Sequence, residues 1–113
     1  MPKQGWIAFT DTHPDGYVVV ASVLCNGRLM IDKARVESLR ALVESLIEKL
    51  APAGVYATTT VPQDGIPEIY CVFEEQADAQ RFAEAVRARP RRRDPGWASQ
   101  WWFVLDDATL DKH

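Results

Sequence analysis

Sulfur, imidazole and long apolar runs are all scarce in this sequence. It has two cysteines and two histidines in 113 residues. Cys25 and Cys71 have no CxxC spacing, which excludes a disulfide framework and a zinc ribbon. Both lie in apolar, strand-like runs and read as reduced core thiols. The longest apolar run, residues 17–25, is far too short to cross a bilayer, and the start MPKQGW has no apolar signal core. A cytoplasmic protein without membrane association is therefore expected. No sign of charge dominates: the net charge is −3, so the molecule as a whole is no electrostatic match for nucleic acid. A Gly-rich phosphate loop, a GxSxG elbow and an HExxH pair are absent, and no cofactor is predicted. Apolar content of 47% and charged content of 26% are ordinary globular values. A single α+β domain over residues 1–113 is expected, with 1–5 and 108–113 frayed.

What is present begins with residues 32–52, DKARVESLRALVESLIEKLAP. Val36, Leu39, Val43, Leu46 and Leu50 recur at spacings of three and four, and Leu42 and Ile47 widen the stripe. This is one apolar helix face. Asp32 suits the N-cap, and Pro52 stops the helix. Arg40 with Glu44 and Lys33 with Glu37 are the expected pairs on the outer face. The stripe is too short for a sustained coiled coil, so the helix is expected to lie on a sheet.

Around it, residues 6–10, WIAFT, read as a short extra strand. Residues 17–25 are the most β-prone run and apolar on both faces, as in a central strand. Asn26-Gly27 predicts a type I′ hairpin into residues 28–31. Residues 55–61 and 68–73 read as strands, 74–90 as a second helix with a thin apolar face (Ala79, Phe82, Ala83, Val86), and 99–107 as the last strand. Strand, helix, strand, strand, helix, strand is the split βαβ order. The fold expected is thus ferredoxin-like: an antiparallel sheet with two helices on one face, plus the extra N-terminal strand and the Asn-Gly hairpin. The opposite face is expected to carry Tyr56, Thr58, Thr60, Tyr70, Val72 and one alternating set from the last strand, and so to form an exposed aromatic patch.

Three places have chemistry to offer. Arg87, Arg89, Arg91, Arg92 and Arg93 fall close together, with Arg81 before them and Trp97, Trp101 and Trp102 after. Guanidinium groups beside indoles are the ingredients of anion and single-strand nucleic-acid binding. The bland alternative is a solvated helix end beside core tryptophans. The loop DTHPD brings together Asp11, His13 and Asp15, weak metal candidates that read better as a polar turn, so no metal site is predicted. Cys25 and Cys71 are expected to approach each other across neighbouring strands.

The leading expectation is a non-enzymatic interaction or regulatory domain that binds itself, as a homodimer, or another protein through the open sheet face, with Tyr56 and Tyr70 in the contact. The alternatives are anion or single-stranded nucleic-acid binding through Arg87, Arg89, Arg91, Arg92, Arg93, Trp97 and Trp102, and a small cofactor-free enzyme with a pocket between the sheet and the second helix.

Overall fold

The structure, a computed structural model, describes residues 3–12, 16–24, 33–63, 66–90 and 99–106. In chain order the elements are α1 (Trp6–Thr12), β1 (Tyr17–Leu24), α2 (Lys33–Lys49), β2 (Tyr56–Gln63), β3 (Ile66–Phe73), α3 (Gln76–Ala85), β4 (Arg89–Pro90) and β5 (Ser99–Asp106). The fold is mixed α+β. Among the described residues there are three helices and one five-stranded sheet of order β2-β3-β1-β5-β4.

The long helix forms where its period requires. Val36, Leu39, Val43 and Ile47 are buried, and Leu46 and Leu50 pack at the margin. Its surface ion pairing differs from the expectation. Arg40 pairs with Glu37 at 2.9 Å, three residues back, because Glu44 is taken by Lys3 at 3.1 Å. α3 lies on the same sheet face through Ala79, Phe82 and Ala83. A run of aromatic rings links the layers: Tyr56 to Phe73 at 6.1 Å, Phe73 to Phe82 at 5.8 Å and Phe82 to Phe103 at 6.0 Å. β1 is central, with Val18, Val19, Val20, Ala21 and Val23 all buried between β3 and β5.

Residues 6–10 are helical, not a strand. Phe9 N–H donates to the Gly5 carbonyl, and the hydroxyls of Thr10 and Thr12 bond back to the carbonyls of Trp6 and Ala8. Five residues are too few to separate period 2 from period 3.6, and Trp6 with Phe9 satisfies the helical one. Phe9 is fully buried against Ala57 and Val72, so α1 covers the sheet face opposite α2 and α3.

The sheet is not wholly antiparallel. β1 pairs antiparallel with β3, and β3 with β2, but β1 pairs parallel with β5. The reason lies at the end of α3. The helix stops at Ala85, well before Pro90. Val86 is the C-cap, Arg87 takes a positive φ of 56°, Arg87 N–H donates to Glu84 and Ala88 N–H to Ala83. This is a Schellman closure with arginine at the position glycine usually holds. The chain then enters β4 at the sheet edge and returns as β5 between β4 and β1. Pro90 is tolerated there because an edge strand has no use for its missing N–H on the solvent side. Asp32 and the Asn26-Gly27 hairpin lie outside the described residues.

Candidate interaction face of the sheet

Strand register fixes which side chains share a face. Opposite α2 and α3, one row runs Thr59, Tyr70, Val20, Trp102, Arg89 from β2 to β4. A second row runs Val61, Glu68, Ser22, Val104, and a third Ala57, Val72, Val18, Gln100. α1 stands over the third row at the β2–β3 side, with Trp6 reaching to Val18, Val20 and Tyr70. The β1–β5–β4 side of the face has no helix over it among the described residues. There Trp102 is half-buried and Val104 is 48% exposed.

The face is held in place by a polar chain across three strands. The Trp102 Nε1–H donates to Ser22 Oγ at 2.7 Å, and the Ser22 hydroxyl donates to Glu68 Oε2 at 3.0 Å. The indole edge is thereby tied down, which fixes the angle at which its ring faces solvent. Tyr70, 7% exposed, is part of the floor. Among the described residues the face is therefore not a broad aromatic patch, and the large apolar side chains most exposed on this side are aliphatic: Val104, and Ile7 on α1 at 76%.

The structure brings Arg89, Trp102 and Tyr70 into one row and leaves other expected site residues elsewhere. Arg87 is exposed and caps α3. Arg81 donates to the Leu50 carbonyl and lies 3.8 Å from Asp78. Trp101 faces the helices. Tyr56 is a correction: with Thr58 and Thr60 it faces α2, fully buried, not the open face. Its hydroxyl donates to Glu48 at 2.8 Å, and the Thr58 hydroxyl donates to Glu44 at 2.5 Å. The two sides of β2 are of similar polarity, so alternation alone does not orient it. The carboxylates of α2 do. Glutamates four apart on a helix are separated by ~6 Å and hydroxyls two apart on a strand by ~6.6 Å, so the pairs match when the elements run side by side. Burial, followed by the hydrogen bond and charge of Glu48, raises the Tyr56 phenol above its ordinary value.

Arg91, Arg92, Arg93 and Trp97 lie outside the described residues, as do Cys25, His13 and Asp15. Asp11 is exposed in the last turn of α1. Among the described residues no group of three metal-ligating side chains forms. Cys71 is buried opposite Val19, near the start of β1. The expected approach of Cys25 to Cys71 lies outside the described residues. Burial, with a smaller push from Glu44, raises the Cys71 thiol far above its usual range.

A shallow cleft without room for a water molecule lies at the end of α2 and beside α3, lined by Ile47, Leu50, Pro52, Phe73, Asp78, Arg81 and Phe82. It is smaller than ordinary ligand sites. Its carboxylate is committed: Asp78 accepts from the N–H groups of Ala53 at 3.0 Å and Gly54 at 2.9 Å. It is a helix-to-loop clasp with no free group aimed into the space. None of the described helices is long and apolar enough to cross a membrane.

Fold and face together define a class, a small mixed α+β protein with a sheet half covered by a short helix. Comparison with known protein families, curated proteins and solved structures finds no match to this chain.

Proposed function

We propose that this chain is an interaction domain that holds another polypeptide on the β1–β5–β4 half of the sheet face opposite α2 and α3. The observation that carries this reading is Val104, 48% exposed at the centre of that half, beside a Trp102 whose indole N–H is already satisfied. An apolar side chain next to a fixed ring, with a cationic rim at Arg89, is the anatomy of a contact centre and its border. The test is a photo-crosslinker, p-benzoylphenylalanine, placed at position 104 in cells, with position 84 on the exposed side of α3 as control. Adducts to polypeptide from 104 and not from 84 are expected. Equal or no labelling at 104 overturns the reading.

A second reading has one observation in its favour. Arg89 and Trp102 are register partners, so a guanidinium lies beside an indole on one sheet face. A single-stranded nucleic acid would use the pair for backbone charge and base stacking. Glu68 in the adjoining row and the acidic net charge weigh against it. Binding of a generic oligonucleotide that falls steeply with salt and is lost in Arg89→Ala would favour it over a protein partner.

A further inference from the structure

The β5–β4 side of this face, where Val104 and Arg89 are exposed, has a counterpart on the molecule itself. α1 forms a raised step over the β2–β3 side, and the β5–β4 side is the low step. The exposed stripe of α1 carries Ile7 and, four residues on, Asp11. The low step carries Val104 and, at its rim, Arg89. Among the described side chains, each step thus offers one large exposed aliphatic group and one exposed charge, and the charges are opposite. We propose that the polypeptide held on this face is a second copy of the chain, in an isologous dimer that lays α1 of each protomer on the low step of its partner. This rests on the docking face proposed above and names its occupant.

Self-complementarity is what a two-fold interface requires: the patch that gives must also receive. With the axis running along the strands, the β4 rim of one protomer comes over the α1 side of the other. Ile7 then meets Val104 and Trp102, and Asp11 meets Arg89, each contact occurring twice. The opposite choice of axis would set α1 against α1, Ile7 on Ile7, and hold the two low steps apart with Val104 uncovered. Size sets the expected strength. β5, ~26 Å long and ~4.8 Å wide, and the two residues of β4 give the low step a footprint of ~160 Å², so α1 and low step together bury on the order of 300 Å² per protomer. A total of ~600 Å² is below the standard size of specific interfaces, so the dimer is expected to be weak.

Sedimentation of the full chain from about 1 µM to about 300 µM is expected to show a monomer–dimer equilibrium within that window. Val104→Glu and Ile7→Glu replace exposed side chains, so circular dichroism is expected to stay unchanged while dimerisation weakens at least tenfold, because each carboxylate is buried twice. Asp11→Arg and Arg89→Asp are each expected to weaken the dimer about fivefold, as rim charges brought against like charges do, and the two together to restore it. A dimer indifferent to positions 7 and 104 overturns the proposal, as does a double exchange that fails to restore it. A chain monomeric throughout also overturns it. In that case a crosslink from position 104 to a different polypeptide leaves the docking face standing, and no crosslink at all removes both.

Discussion

Arg87 ends α3 in a conformation that costs an L-residue free energy. Its φ of 56° lies in the left-handed region, and its side chain is exposed. A glycine there relieves the Cβ clash but gives back part of the gain through the looser unfolded chain. Arg87→Gly is expected to stabilise the fold by about 0.5–1 kcal/mol, read as a higher urea midpoint with unchanged slope. The residue keeps its importance for another reason. Because the helix closes at Arg87 rather than running to Pro90, Arg89 becomes a strand residue and arrives beside Trp102. One backbone dihedral thus decides whether that arginine belongs to a helix end or to the sheet face.

At the scale of elements, α1 is attached by few side chains and one close approach. A Cβ at Gly16 would stand 2.5 Å from Val72 Cγ2 and 3.2 Å from Phe9 Cε1, both buried. Neither neighbour has room to retreat. Gly16→Ala is expected to cost about 2 kcal/mol and to loosen α1, read as greater quenching of Trp6 fluorescence by acrylamide in a background lacking the other tryptophans. Gly54 makes the contrast. Its Cβ would meet Glu75 Cγ at 2.7 Å and Glu74 Oε1 at 2.8 Å. Glu75 is exposed and can swing aside, whereas Glu74 Oε1 accepts from the Val55 N–H at 3.3 Å and must give up that bond to move, so Gly54→Ala is expected to cost about 1 kcal/mol in the same denaturation assay.

Elements also differ in how plainly the sequence announces them. α2 is written over seventeen residues with its described buried positions, Val36, Leu39, Val43 and Ile47, on one stripe, so its period is unmistakable. The central place of β1 follows from apolar residues on both of its faces. α1 is hidden because its run is short and rich in β-type side chains, and only the helical spacing of Trp6 and Phe9 hints at it. β4 is invisible: two residues, one of them proline, become a strand solely because β5 lies alongside. Once β4 is missed, the direction of β5 follows wrongly. Of the candidate face, Trp102 and Tyr70 are legible as strand aromatics on one side. Val104 is given by the same alternation two residues on from Trp102, but its exposure depends on where α1 stops. The seam of Glu44 and Glu48 against Thr58 and Tyr56 is legible only after helix and strand have been laid side by side.

For the whole molecule, two buried acids set a limit on alkaline stability. The unfolded chain releases the Cys71 proton near 9.0 and the Tyr56 proton near 10.0, whereas the folded protein holds both to higher pH. Folded values above unfolded ones mean that the contribution is intact below pH 9.0 and is lost as pH rises past each unfolded value. Each group then subtracts about 1.4 kcal/mol per pH unit. The urea midpoint is expected to fall from pH 9 upward and more steeply above pH 10. Cys71→Ala is expected to remove the first part of the decline and Tyr56→Phe the second. In a Cys25→Ser background, Cys71 is expected to resist a thiol reagent until the protein unfolds.

The place of β5 between β4 and β1 also sets the order in which the chain is able to finish folding on the ribosome. Among the described strands, the first made is the middle of the sheet, and its second neighbour is the last made. At ~5–20 residues per second, β1 waits several seconds with one edge bare, paired on the other side with β3 alone. Such an edge is a template for the wrong strand. A nascent chain halted after Pro90 is expected to recruit chaperones or aggregate, while one extended past residue 106 escapes both, so the arrival of β5 rather than any local step is the point at which this protein becomes safe from its own neighbours.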